Sequence, residues 1–207
     1  QINKLSGGSI DMKFFDPGAL VPPAQAFDAV SSGALDAAWA TPGFWTGKDI
    51  AFAVYSTVPF GPGMGEYIAW MKEGGGEKMM QALYAKYNIH SVVCHLIPPE
   101  ASGWFRKEIA TLADLKGLKM RIPGIGGQVM ARLGAVPQTL AGGDIYPALE
   151  KGAIDATEWV GPYDDEKLGF QKVARHYYYP GWWEGGMQLS LYVNLKKWAE
   201  LPPAYQA

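Results

Sequence analysis

The sequence predicts a layered α/β fold in which two similar lobes face each other. Three observations favour it: short apolar strand-like segments alternate with helical segments, Gly and Pro turns separate them, and one motif occurs twice. Of the 207 residues, 48% are hydrophobic and only 18% are charged. Such a composition is typical of an ordered globular chain with a substantial core.

The first lobe is expected to begin with strands and helices that end at about residue 97. The helix AQAFDAVSSG should end at Gly33, which supplies the left-handed residue common at helix ends. A second helix, GEKMMQALYAKYNI, carries a core-facing stripe at helical spacing, formed by Met79, Met80, Leu83, Tyr84 and Tyr87. The expected strands are IDMKFFDPG, ALDAAWA and HSVVCHLI.

A second unit is expected from about residue 100. It opens with a short helix, TLADLKG, that is capped by Thr111 and ends at Gly117. The elements that follow are the strand LKMRI, the turn PGIGG, the helices QVMARLGA and DIYPALEKG, the strand AIDATEWV, and a late strand QLSLYVN that leads into a helix.

The repeated motif is a helix, a glycine exit and a strand. FDAVSSGALDAAW at 27–39 and YPALEKGAIDATE at 146–158 share one skeleton of Ala, aliphatic, Gly and Asp positions. Chance can produce so short a match, and two facing lobes would also explain it. In the second case the residues after Asp36 and Asp155 lie at the carboxyl ends of strands, where open α/β sheets bind ligands.

Charge and motifs exclude several function classes. The net charge of −2 argues against a nucleic-acid binder and against a polybasic membrane-surface protein. The apolar runs are shorter than the roughly 20 residues of a spanning helix. Cys94 is the single cysteine, and the sequence contains no nucleophile elbow, P-loop or HExxH motif.

Arg121 is the first candidate binding residue. It interrupts the apolar strand LKMRI just before a glycine-rich turn that leads into a helix. A guanidinium at that position can hold a carboxylate through two parallel hydrogen bonds, and the backbone N–H groups at the helix start would lie nearby. An exposed edge arginine or a structural ion pair is the alternative.

Three glutamates form the second candidate set. Glu100, Glu158 and Glu184 each lie beside tryptophan or glycine at the end of an expected strand or loop. Together they could be oxygen ligands for Ca²⁺ or Na⁺, or an acid–base pair for glycoside hydrolysis. Spacing alone does not separate these two interpretations.

A family resemblance separates them. The ordered motifs GGSIDMKFFDPGALVPPAQAFDAVSSGALDAAW, VPFG, GWFRKEIATLADLKGLKMRIPGIGG, GGDIYPALEKGAIDATEWVGPY and YYYPGWWEGG resemble the substrate-binding subunit of TRAP transporters. They are most similar to its branch for 2-oxo acids, lactate and related monocarboxylates, over essentially the whole chain. The resemblance implies a two-lobed, periplasmic-binding-protein-like α/β fold with mixed sheets and a central ligand cleft.

The resemblance also implies roles for individual residues. Arg121 matches the arginine that clamps the ligand carboxylate. The implied metal ligands are the side chains of Glu158 and Glu184, the backbone oxygen of Trp159, and Glu100, where related proteins often carry glutamine. The extra negative charge at Glu100 favours Ca²⁺ over Na⁺. The implied pocket walls are Phe60, Trp104, Trp182 and Trp183.

The implied function is capture of a small monocarboxylate, such as pyruvate or lactate, in the periplasm for the membrane subunits of a TRAP transporter. No catalysis and no nucleic acid are expected, and the full-length form could be a homodimer. The rival hypothesis is a glycosidase or a metal-assisted hydrolase that uses paired glutamates. We expect a fragment without the family's signal segment, first strand and C-terminal helices, with one lobe from 1–97 and about 159–186 and the other from 98–158 and about 187–207.

Overall fold

The computed structural model describes residues 1–206, which form helices around two separate β-sheets. The strands are β1 Ala37–Ala40, β2 Ile89–Ile97, β3 Gly103–Phe105, β4 Lys119–Arg121, β5 Val136–Gln138, β6 Ala156–Thr157, β7 His176–Tyr178 and β8 Met187–Asn194. The α-helices are α1 Ile2–Leu5, α2 Ala26–Ser32, α3 Met64–Glu73, α4 Gly76–Ala85, α5 Gly124–Arg132, α6 Gly142–Glu150, α7 Pro162–Leu168, α8 Leu195–Ala199 and α9 Pro203–Gln206. Short 3₁₀ helices cover Pro23–Gln25, Pro42–Trp45, Ile50–Tyr55, Leu112–Leu115 and Phe170–Lys172.

The two sheets differ in strand direction. The first has the order β1-β8-β2 and is antiparallel throughout. The second has the order β5-β4-β6-β3-β7, in which β4 runs parallel to β5 and β6 while β3 runs antiparallel to β6 and β7. The predicted fold class, an α/β protein of two lobes with mixed sheets, is confirmed. None of the helices within residues 1–206 is long and apolar enough to cross a bilayer.

The strand pairing divides the chain differently from the sequence-based expectation. The chain leaves the first sheet after β2, builds the whole second sheet, and returns to the first sheet in β8. Segment 176–178 therefore belongs with the second lobe and segment 187–194 with the first, which reverses their predicted positions. The reason is that β8 is the central strand of its sheet and pairs with both β1 and β2.

Two connections link the sheets, 98–102 and 179–186, which we call the crossing segments. They contact each other through backbone hydrogen bonds: Gly181 N donates to Glu100 O at 2.9 Å, and Glu100 N donates to Glu184 O at 3.3 Å. Ser102 Oγ also donates to Pro180 O at 2.6 Å. The crossing segments therefore form one hydrogen-bonded connection between the lobes.

Each lobe has its own apolar core. In the first lobe, α2 and α4 pack against the sheet through Phe27, Met80, Tyr84 and Tyr192, all fully buried. The second sheet is covered on both faces. Met120 and Ala156 belong to the cluster on one face, and on the other face the cluster comprises Trp104, Ile145, Leu149, Ile154, Phe170 and Ala174.

Most predicted elements are present, with local differences. Gly33 ends α2 with a φ of 81°, and Thr111 is the N-cap of the short 3₁₀ helix. In α4 the stripe packs inward except for Met79, which is 51% exposed. PGIGG was predicted as a turn, but α5 already begins at Gly124 because Pro123 takes the N-cap position.

The predicted strand IDMKFFDPG was wrong. Residues 10–16 have no regular secondary structure, and Phe14 is 81% exposed. An alternating sequence forms a strand only when a neighbouring strand accepts its backbone hydrogen bonds, and none of the described strands pairs with this segment.

Candidate anion and cation site

Arg121 ends β4 and is buried at the edge of the second lobe. Its Nη1 donates to Glu158 Oε1, its Nε donates to the Leu140 carbonyl at 3.3 Å, and the Trp159 ring lies 5.2 Å from the guanidinium carbon. The side chains of Arg121 and Glu158 are only 5% and 6% exposed. These contacts fix the plane of the guanidinium in a water-poor setting, where its interaction with an anion is strong.

Glu158 follows β6 directly and meets Arg121 through backbone and side chain. Its backbone N–H donates to the Arg121 carbonyl at 3.3 Å, and Arg121 and Thr157 are paired in register. The pairing of β4 with β6 thus places the Glu158 carboxylate beside the Arg121 guanidinium. A buried glutamate at this position is stable because it has a cationic partner.

Glu100 and Glu184 lie one on each crossing segment. The two residues are 1% and 3% exposed. Glu100 Oε2 and Glu184 Oε1 have no hydrogen-bond partner within residues 1–206. Buried carboxyl oxygens are costly unless neighbouring carboxyl groups share a proton or a positive group binds them, so these two atoms mark a place where protons or a cation are held.

The electrostatics show that the three carboxylates are neighbours. Burial, followed by the charges of Glu184 and Glu158, holds the pKa of Glu100 well above its ordinary value. Burial and then the charge of Glu158 raise the pKa of Glu184 to about 8, although a hydrogen bond with Glu100 and, to a smaller extent, the charge of Arg121 lower it. Two of the carboxylates thus favour the protonated form at neutral pH.

The donor set fits a hard cation. No group of three or more His, Cys, Asp or Glu side chains in the described part of the chain already lies at metal-ligand spacing. The electrostatic coupling of the glutamates and the unpartnered oxygens of Glu100 and Glu184 nevertheless supply the oxygen chemistry that Ca²⁺ or Na⁺ requires. Glu100 and Glu184 are the residues best placed to hold such an ion.

In EDTA, the free energy of unfolding is expected to fall as the pH rises from about 5 to about 8. The folded state keeps protons on Glu100 and Glu184 that the unfolded state has released above its ordinary carboxyl pKa. The slope should approach about 1.4 kcal/mol per pH unit for each retained proton. Urea unfolding in EDTA across this range measures it, and stability that rises with pH would contradict the assignment.

Trp159 contacts the site through its ring. The indole lies over Arg121 and against Gly142, where an added Cβ would be 2.5 Å from Trp159 Cη2. Glycine at 142 therefore lets α6 approach the ring closely. The Trp159 carbonyl as a metal ligand stays a prediction.

Two of the predicted pocket walls form a stack at the surface. Phe60 is 86% exposed, and its ring lies 5.8 Å from that of Trp182 at 28°. Its backbone N–H donates to the Trp182 carbonyl at 2.8 Å, which helps hold Phe60 at a φ of 56°. A non-glycine residue in this conformation is uncommon and is frequently found at functional sites.

The other two predicted pocket walls lie in the cores. Trp183 is 4% exposed and packs in the cluster with Met120. Trp104 is 9% exposed, and its indole N–H donates to Asp165 Oδ2 at 2.8 Å. Their packing is structural, and their contact with a ligand stays a prediction.

The sequence interpretation missed two residues. The Leu140 carbonyl orients Arg121, and the buried hydroxyl of Tyr177 lies close enough to Glu100 to respond to its charge. In the sequence, both residues look ordinary: Leu140 lies in a loop and Tyr177 in a run of three tyrosines. Only strand pairing brings them to the site.

Known proteins are similar to this chain over its whole length. The family model of bacterial extracellular solute-binding protein, family 7 (DctP), matches residues 1–207. A monocarboxylate 2-oxoacid-binding periplasmic protein from Nostoc sp. is 48% identical over 206 residues, covering 100% of this chain and 57% of the relative. This chain thus spans somewhat more than half the length of that curated relative.

Two solved structures are similar over nearly the whole chain. A TRAP transporter solute binding protein from Bordetella bronchiseptica, with copurified calcium and picolinate in its active site, is 49% identical with a TM-score of 0.96. The match covers 99% of this chain and 61% of the Bordetella protein. A TRAP periplasmic solute binding protein from Pseudoalteromonas atlantica with bound sodium and pyruvate is 40% identical with a TM-score of 0.94, at 99% and 62% coverage.

These matches confirm the resemblance drawn from the motifs. The family model covers every residue, and the fold agrees with those of proteins that are 40–49% identical. The chain belongs to the bacterial extracellular solute-binding proteins of family 7.

Proposed function

We propose that this chain is part of a periplasmic protein that captures a small monocarboxylate, a 2-oxo acid such as pyruvate or the hydroxy acid lactate, together with a bridging cation. The observation that carries the proposal is the buried Arg121 guanidinium beside three carboxylates, two of which have oxygens without partners. An anion can bind to the guanidinium, and a cation can bind to the carboxylate oxygens. The similar proteins described with picolinate or pyruvate and a metal support the same chemistry.

Each residue has a distinct task in this proposal. Arg121 binds the ligand carboxylate through its planar fork of N–H donors, while the Leu140 carbonyl and the Trp159 ring hold the guanidinium in place. Glu100, Glu184 and Glu158, with the Trp159 carbonyl, would hold the cation. When bound, the cation supplies a Lewis-acidic contact to a second ligand oxygen.

Charge balance favours Ca²⁺ over Na⁺. Three glutamates and one ligand carboxylate oppose the single guanidinium of Arg121, so a divalent ion leaves less negative charge uncompensated. Relatives are known with each ion: calcium and pyruvate in the Colwellia psychrerythraea protein, and sodium and pyruvate in the Pseudoalteromonas atlantica protein.

Capture uses the two lobes. Glu100 and Glu184 lie on the crossing segments, while Arg121 and Glu158 end strands of the second lobe. A ligand between them shifts the equilibrium toward a closed form, with Phe60 and Trp182 as a wall. Membrane subunits of a TRAP transporter would recognise the closed form, and a homodimer is a further expected assembly.

Binding without turnover is favoured over hydrolysis. An acid–base mechanism needs a water-poised base and a separate acid, whereas Glu158 is held by Arg121. The family match is to solute-binding proteins, which gives the hydrolase hypothesis no support.

Calorimetry in Ca²⁺ tests the ligand class. Pyruvate, 2-oxobutyrate and lactate are expected to bind with micromolar or tighter affinity, because each presents one carboxylate to Arg121 and a second oxygen to the cation. Neutral sugars are expected not to bind. Sugar binding that EDTA leaves unchanged, or turnover of any glycoside, would contradict the proposal.

A further inference from the structure

Asp165 is a buried acidic residue in the first turn of α7. It is 0% exposed, whereas the acidic residues on either side of it in the chain are exposed. Its carboxylate accepts three hydrogen bonds, one from Trp104 Nε1 at 2.8 Å and one each from the backbone N–H groups of Val160 and Gly161 at 3.1 Å. The buried carboxylate therefore holds three donors in place around it.

Two of these donors belong to the loop 158–161, which joins β6 to α7. Glu158 begins the loop, and its backbone N–H donates to the Arg121 carbonyl at 3.3 Å. The last two residues of the loop donate their N–H groups to Asp165. The loop is thus hydrogen-bonded at both ends, to β4 at its start and to Asp165 at its end, and Trp159 lies between the two.

The same network reaches the crossing segment that carries Glu100. Ala101, the next residue, donates its backbone N–H to the Val160 carbonyl at 3.4 Å. The third donor to Asp165, the Trp104 indole, belongs to β3, which follows this crossing segment directly. Asp165 therefore links the loop to the strand that continues the crossing segment.

We propose that Asp165 is a positioning residue for the cation: it fixes the loop 158–161, so that the Glu158 side chain and the Trp159 carbonyl are held in place before the ion binds. The inference rests on the proposed function, in which these two groups are cation ligands. Groups that orient metal ligands from behind are typically worth ten- to a hundredfold in metal affinity.

The Arg121 guanidinium depends on other contacts. It extends from β4, and the Leu140 carbonyl accepts its Nε–H at 3.3 Å. Within residues 1–206, Asp165 is hydrogen-bonded to neither β4 nor Leu140. Loss of the Asp165 carboxylate should therefore weaken cation binding much more than anion binding, whereas loss of a residue that served only the fold would weaken both.

Calorimetry of Asp165→Ala tests the inference, because alanine leaves the loop N–H groups without their acceptor. The Ca²⁺ affinity should fall about tenfold, or about 1.4 kcal/mol, while the 2-oxobutyrate affinity in EDTA should change less than about twofold. The matched control is Asp164→Ala, which removes an exposed carboxylate in the same helical turn and should behave as wild type. Thermal melting confirms that each variant is folded at the temperature of the titration.

Hydrogen exchange of the wild-type protein gives a second test, which decides the question even where Asp165→Ala does not fold. In EDTA the backbone N–H groups of Val160 and Gly161 should already be protected, because Asp165 accepts both, and Ca²⁺ should add little protection. Rapid exchange in EDTA that slows only with Ca²⁺ would show that the ion itself orders the loop, and it would overturn the inference.

The outcomes separate the two proposals. If Asp165→Ala keeps the wild-type Ca²⁺ affinity, or weakens Ca²⁺ and acid binding by the same factor, the positioning role is overturned while capture of an acid with a cation stands. If the wild-type protein binds neither 2-oxobutyrate nor Ca²⁺, the proposed function itself fails.

Discussion

Arg121→Ala is expected to abolish monocarboxylate binding. The guanidinium is the cation that pairs directly with the ligand carboxylate, and truncating one partner of a buried, hydrogen-bonded charge pair costs about 2–5 kcal/mol, or roughly 30-fold to several thousand-fold in affinity. The variant also leaves Glu158 buried without its partner, so its free energy of unfolding should fall by about 3–5 kcal/mol. Calorimetry with 2-oxobutyrate and urea unfolding measure the two effects.

Two further variants keep this prediction interpretable. Arg121→Lys retains the positive charge beside Glu158 and should fold, yet it should still bind the acid at least about tenfold more weakly, because an ammonium lacks the planar fork. Arg132→Ala removes an exposed arginine at the end of α5 and should bind as wild type does. Full affinity in a folded Arg121→Lys or Arg121→Ala protein would exclude Arg121 as the clamp.

Replacing Glu100 and Glu184 together by glutamine is expected to stabilise the protein in EDTA while abolishing its response to Ca²⁺. Both carboxylates are buried, and each has an oxygen without a partner in the described part of the chain. At about pH 8, where Glu184 is partly ionised, replacing the two buried carboxyl groups by neutral amides should raise the free energy of unfolding by about 2 kcal/mol, or about 4–8 °C in melting temperature. In this account the two buried carboxyl groups lower the stability of the cation-free protein because they are retained to bind the cation.

Addition of Ca²⁺ gives the second half of this result. At a hundred times its Kd the ion should stabilise wild type by about 2.7 kcal/mol, whereas the double variant should gain nothing. Glu166→Gln, an exposed change on α7, is the matched control and should leave both measurements unchanged. A double variant that is less stable than wild type in EDTA and still responds to Ca²⁺ would place the cation elsewhere.

Local signals in the sequence were sufficient to predict that Arg121 lies at the end of a strand and that it has a charged partner. A charged residue that interrupts an apolar strand before a helix start must either find a partner or bind one, and Arg121 proves to lie buried at the end of β4. The direct contact with Glu158 was not predictable, because it depends on the pairing of β4 with β6. Pairing between distant segments leaves no local pattern.

The same limit explains why the strand pairing differs from the expected lobe boundaries and why the surroundings of the aromatic residues could not be predicted. The pattern of β8 identifies a strand but not that β1 and β2 are its partners, so its lobe was assigned incorrectly. The family resemblance implied Trp104 and Trp183 as pocket walls; both pack in cores, and their contact with a ligand stays a prediction. Whether a large ring packs in a core or lines a cleft depends on the elements that cover it, which lie far away in sequence.

The affinity for 2-oxobutyrate, measured in saturating Ca²⁺ and again in EDTA, tests the central claim most directly. If Arg121 and the glutamates bind one cation–carboxylate pair, Ca²⁺ should strengthen acid binding by roughly a hundredfold, about 3 kcal/mol, and the acid should strengthen Ca²⁺ binding by the same factor. Equal affinities with and without Ca²⁺, and a Ca²⁺ affinity unaffected by the acid, would show that the two sites are independent and contradict this account.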